Sequence, residues 1–156
     1  MAIPPLNDKL LWRQVPAADR SSFRHGQAQK VLLPSGYALF KFSQWDLVKP
    51  DGTVTPWWFS VTPHWPQELG MDRLVRRAAN VGATPAEYAR AVAAVNRNAM
   101  TQLLRARLCV AAHGFVGPCS GQPLDPDRPE WANVVLLGGV VQLYIPNLRK
   151  AHVRAL

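Results

Sequence analysis

The stretch LLGGVVQLYIPNL, residues 136–148, constrains the fold more than any other part of the chain. It is a run of β-forming residues broken by Gly138-Gly139 at one end and Pro146-Asn147 at the other, so it reads as a strand between two turns. It is too short to cross a bilayer, and no run of about 18 apolar residues occurs anywhere else. Near its centre stands one uncharged polar residue, Gln142. Period-2 alternation puts Val140, Gln142 and Tyr144 on one face and Val141, Leu143 and Ile145 on the other. The purely aliphatic set is expected against helices. The set with an amide and a phenol is expected to line a groove on the concave side of the sheet, within reach of the strand that holds Lys41, because a buried amide needs its partners satisfied.

Other segments supply partners for that strand. Residues 1–29 have weak periodicity and read as an extended or short helical N-terminal extension, anchored by Leu10, Leu11, Trp12 and Val15. From Lys30 to Ser43 two short strands flank Pro34-Ser35-Gly36, where proline presets φ and glycine supplies a positive one. YALFKFS alternates, with Tyr37, Leu39, Lys41 and Ser43 on one side and Ala38, Phe40 and Phe42 on the other. After the Asp51-Gly52 turn, TVTPWWFSVT is an aromatic, β-branched segment with Pro56 near an edge.

Helical spacing then takes over, and residues 66–108 read as a helical pair. The first helix is expected over about 67–80, with Met71, Leu74, Ala78 and Val81 in one stripe and Gly82 just past its end. Thr84-Pro85-Ala86-Glu87 opens the second: threonine caps, proline takes the first helical position, and glutamate reaches back. Its stripe runs Tyr88, Val92, Val95, Ala99, Leu103, Ala106, with Arg90, Arg97, Thr101 and Arg105 opposite. Residues 109–148 return to strands around a loop rich in proline and aspartate, and 149–156 form a basic tail. Strands, two central helices, then strands predict a single α+β domain, with a mixed or antiparallel sheet built from N- and C-terminal strands and the helices packed on one side.

The formal charge of +8 is concentrated. Between Asp72 and Arg107 there are seven arginines and two acids, and residues 149–156 add Arg149, Lys150 and Arg154, so the two segments (+5 and +3) hold the whole excess. Such a distribution suits an anionic partner. The start, Met1-Ala2-Ile3-Pro4-Pro5, lacks the basic and apolar regions of a removable signal peptide. A soluble cytoplasmic protein is expected, or one exported without such a signal. Cys109 and Cys119 are expected as free, buried thiols. With no Cys-x-x-Cys or His-x-x-x-His pair beside them, no metal is expected.

Phosphate-binding glycine loops and the Gly-x-Ser-x-Gly elbow are absent. What remains is a resemblance. LPSGYALFKFS is similar in layout to the first strand of ADP-ribosyltransferase-fold domains, where a Leu-Pro-x-Gly turn leads into a strand bearing a basic residue. GFVGPCSGQP followed by LLGGVVQLY resembles the closing segment of NAD-glycohydrolase toxins related to tuberculosis necrotizing toxin. The resemblance implies NAD as substrate. Lys41 would hold its diphosphate, Gln142 would stand near the nicotinamide ribose, and Ser60 would match the serine of the middle strand. Trp57 and Trp58 would stack on nicotinamide or adenine. Two departures bear on chemistry: the first strand has lysine where the family has arginine, and the last has no glutamate, so transfer to a protein acceptor by the usual carboxylate is not expected.

The alternative reading is a non-enzymatic interaction module. In it Arg90, Arg97 and Arg105 form one helical face for an acidic protein or, without sequence preference, for nucleic-acid phosphates. A cleft holding Lys41, a tryptophan and Gln142 together favours the NAD reading; a flat basic face favours the module.

Overall fold

The computed structural model describes residues 3–93, 95, 98–123, 127, 128, 130 and 135–156. It is an α+β fold, as the element order predicts. Nine strands are described: β1 Gln29–Leu33, β2 Ala38–Ser43, β3 Trp57–Ser60, β4 Gln102–Leu108, β5 Ala112–Pro118, β6 Gln122–Pro123, β7 Val135–Leu136, β8 Val141–Tyr144 and β9 Val153–Ala155. Three α-helices accompany them: α1 Ala17–Arg20, α2 Gly70–Asn80 and α3 Pro85–Ala93. Seven strands form one sheet in the order β1-β5-β8-β3-β2-β4-β9, each pair antiparallel, and β6 and β7 form a separate ribbon.

Each of the seven strands contributes to one buried cluster, from Leu33 of β1 through Leu39, Trp58, Ala106, Val116 and Leu143 to Val153 of β9. Residues from the two ends of the sheet order meet there, so the sheet curls around its own inner face. The alternation in β2 holds: Leu39 enters this inner cluster, while Phe40 and Phe42 pack outward with α2 and α3.

The two faces of β8 are the reverse of the expectation. Val141, Leu143 and Ile145 belong to the inner cluster, and Val140 meets the helices instead. Gln142 therefore lies on the outer face, not the concave one. The cause is closure of the sheet: an inner face curled on itself needs aliphatic side chains from its own strands and has no room for a helix.

α2 buries Met71, Leu74 and Ala78, but Val81 is exposed beyond its C-terminus. The α3 capping box is present. Glu87 N–H donates to Thr84 Oγ1 and Thr84 N–H to Glu87 Oε1, each at 3.1 Å. Hydrogen bonding from the Thr84 side chain, then from its backbone amide, holds the Glu87 carboxyl below the usual carboxylate range.

α3 ends at Ala93, and residues 102–108, expected as helix, are β4. QLLRARL fits either period, and tertiary pairing decides. Ala106 and Leu108 fill the inner cluster while the backbone pairs with β2 and β9. Asn98 Oδ1 accepts from Gln44 N and Met100 N, and Met100 has φ +54°, which a helix does not admit. Within the basic tail Val153–Ala155 form β9, which pairs with β4 and sets Arg154 opposite Arg107.

On the outer face, α2 and α3 cover Phe40, Phe59 and Val140. Residues 10–28 cover the other side, with Val15 and Phe23 buried against Phe115 and Tyr144. Val15, Leu10 and Trp12 are anchors as expected, whereas Leu11 is exposed. Between the two covers a gap remains.

Candidate functional site

That gap is a cavity of about 630 Å³, within the usual size of a small-molecule site. Its floor carries Trp57, Phe59 and Gln142. One wall comes from Ala18, Asp19, Ser21 and Ser22 of the N-terminal segment, the opposite one from Ala93 of α3 and from Val95, Asn98 and Met100. Lys41 and Trp58 also line it. By alternation their side chains leave the other face of the sheet. They reach the same space because the β2–β3 ladder stops at Phe40–Phe59, while β2 runs on to Ser43 alongside β4. Beyond that point β2 parts from β3, and the cavity opens between Lys41–Ser43 and Thr55–Trp58.

Lys41 Nζ donates to Thr55 Oγ1 at 3.0 Å and stands 5.9 Å from the Trp58 ring centroid. Burial, then repulsion from the Lys49 ammonium, which also lines the cavity, brings Lys41 down to about 8. No carboxylate among the described residues forms an ion pair with it. An ammonium with one protein hydrogen bond and a like charge nearby favours an anion as its remaining partner.

Trp58 is 1% exposed, with Nε1 donating to Thr55 O at 2.8 Å, so only its edge can serve a ligand. Trp57 is half-buried. Its ring lies 4.5 Å from that of Tyr144 and 5.8 Å from that of Phe23. Gln142 is 9% exposed, and its Nε2 donates to Ser22 O at 3.2 Å. Tyr144 OH donates to Asp19 Oδ2 at 2.7 Å. Burial, then this bond and the Asp19 charge, push the Tyr144 hydroxyl far above the usual tyrosine range. It therefore stays a donor at any neutral pH.

Ser60 does not line the cavity. It is buried on β3, where its hydroxyl donates to Glu68 Oε1 at 2.6 Å and meets Tyr37 OH at 2.6 Å. Glu68 Oε2 accepts from the His64 and Trp65 amides. Its carboxylate pins the turn ahead of α2, so Ser60 belongs to a structural network.

The arginine face is not formed. Arg90 is on α3 with Nη2 donating to Asn98 O, Arg105 is on β4, and Arg97 lies outside the described residues. A single helix does not carry them, because residues 102–108 form β4.

Cys119 is buried and its thiol is pushed far up by burial, whereas Cys109 is exposed, against expectation. Both are free. Among the described residues no group of three or more His, Cys, Asp and Glu could hold a metal ion, and no helix is long and apolar enough to cross a membrane.

The cavity thus unites Lys41, Trp57, Trp58 and Gln142, which lie on three adjacent strands, β2, β3 and β8. It adds Asp19, Ser22, Lys49 and Thr55, which no local motif announces. No protein-family model matches the chain, and no curated protein matches it at a significant level.

Proposed function

We propose that the cavity binds NAD and that the protein cleaves its nicotinamide–ribose bond, as a glycohydrolase of the effector or toxin type. The observation that carries this reading is the joint presence of Lys41, Trp57, Trp58 and Gln142 in one cavity. The resemblance in sequence singles out those residues, and they lie up to 101 positions apart in the chain, from Lys41 to Gln142 (142 − 41).

Each has a chemical part. The Lys41 ammonium, desolvated and without a carboxylate partner among the described residues, holds the diphosphate. Trp57, backed by Tyr144 and Phe23, offers a ring face to nicotinamide or adenine. The Gln142 amide orients ribose hydroxyls from the floor.

An anion-binding module for acidic protein or nucleic-acid phosphate needs its arginines on one helical face, and with Arg90 on α3 and Arg105 on β4 no observation favours it. Incubation with NAD, followed by measurement of free nicotinamide, tests the proposal. Release that requires both Lys41 and Gln142 is the expected result, and absence of release with the folded protein overturns it.

A further inference from the structure

We infer that Asp19 is the catalytic carboxylate of this site, an assignment that rests on the NAD-cleaving reading. Breaking the bond between the ribose C1′ and the pyridinium nitrogen builds positive charge on the sugar. It also needs an acceptor for the proton of the attacking water. β8 offers an amide at Gln142, which can orient a hydroxyl but cannot take that proton near neutrality. The cavity must find its carboxylate elsewhere.

Two carboxylates line it among the described residues, Asp19 and Asp46. Asp46 is exposed, on the loop after β2 beside Trp45 and Lys49. Asp19 is on α1, and it and the residues just after it are fastened to β8, which bears Gln142, and to Ser120 just past β5. Gln142 Nε2 holds Ser22 O, Ser120 Oγ holds Ser21 O at 2.8 Å, and Tyr144 OH holds Asp19 Oδ2. Gln142 and Tyr144 are two apart on one strand and so leave the same face. The amide and the carboxylate are thereby brought to one wall, next to the Trp57 ring that packs on Tyr144.

The carboxylate is fixed but not saturated. Tyr144 occupies Oδ2, and among the described residues no other group bonds to Oδ1 and no cation pairs with the carboxylate. Asp19 is half-buried and lines the cavity, and tethering one oxygen leaves the other for a water, as a general base requires.

In the reaction, a water oxygen attacks C1′ while the C1′–N1 bond breaks. Its electron pair passes to the ring nitrogen, giving neutral nicotinamide. The water proton passes to Asp19 and then to solvent. The products are ADP-ribose, nicotinamide and one proton, and no further reactant is required.

Nicotinamide release and NAD binding, the latter by tryptophan quenching, are compared in the native chain, Asp19→Asn and Tyr144→Phe. Asp19→Asn keeps an acceptor for Tyr144. It is expected to bind NAD within about twofold of the native chain and to release nicotinamide about 100-fold more slowly. Tyr144→Phe keeps the carboxylate and frees it, and a smaller loss, about tenfold, is expected. If Asp19→Asn does not fold, Asp19→Glu carries the test, because a general base moved by one methylene loses rate and not affinity.

A native chain that cleaves NAD and an Asp19→Asn chain that cleaves it equally fast would overturn the role of Asp19 and leave the NAD reading standing. An Asp19→Asn chain that loses binding and rate together would also overturn it. A native chain that binds no NAD removes both.

Discussion

The side-chain amide of Gln142 donates to the backbone carbonyl of Ser22 across 120 positions of sequence. This bond joins the cavity floor to its N-terminal wall. Gln142→Ala removes it and leaves Ser22 O without that partner, at a cost of about 1 kcal/mol. The expected result is a folded protein with a slightly lower melting temperature and no nicotinamide release. Calorimetry beside the release assay checks both parts, and an unchanged rate would make the glutamine a structural bridge only.

Lys41 gives the site a pH dependence. Its folded-state value near 8 lies below the ordinary lysine value of 10.5, so burial and Lys49 penalise the charged form. Between those values the unfolded chain binds the proton and the folded chain does not, so the stability of the free protein rises with pH there. Anion binding has the opposite sign, since it needs the ammonium. Affinity for ADP-ribose should fall about tenfold from pH 7 to pH 9, and Lys41→Arg should flatten that alkaline limb. Titration across this range checks it; equal affinity at both ends would separate Lys41 from the ligand.

The Glu68 network predicts a defect of stability and not of chemistry. Glu68 is 2% exposed and accepts from Ser60, His64 and Trp65. Glu68→Ala strands those donors and should cost on the order of 3 kcal/mol. Ser60→Ala should cost less, about 1 kcal/mol, and leave nicotinamide release intact. A Ser60→Ala chain of native stability that no longer releases nicotinamide would return the serine to the site.

Local signals were legible where local chemistry decides the structure. Thr84 and Glu87 announce a helix start because the two hydrogen bonds between them need only four residues. The turn at Pro34-Ser35-Gly36 and the alternation of β2 are of the same kind. Residues 102–108 were misread because Leu103 and Ala106 continue a helical stripe, while Ala106 and Leu108 also fit a strand. Only the neighbouring β2 and β9 select between the two. The faces of β8 could not be assigned from alternation alone, since both sets are largely apolar and curling of the sheet determines which goes inside. Within the site, Lys41, the tryptophans and Gln142 carried a motif signal. Asp19 and Lys49 carried none, because tertiary closure brings them there.

The boundary at residues 93–102 gives the last prediction. Thr84→Ala removes the N-cap of α3 and should cost about 1 kcal/mol. Asn98→Ala acts differently. It leaves Gln44 N and Met100 N without the acceptor that joins the end of β2 to the approach to β4, and Met100 holds its positive φ beside that bond. Asn98 also lines the cavity. Asn98→Ala should therefore cost about 1–2 kcal/mol and weaken ADP-ribose binding, while Thr84→Ala lowers stability alone. Denaturant melts paired with ADP-ribose titrations distinguish them. Equal effects of both changes on binding would mean that the helical pair, and not the turn after it, shapes that wall of the cavity.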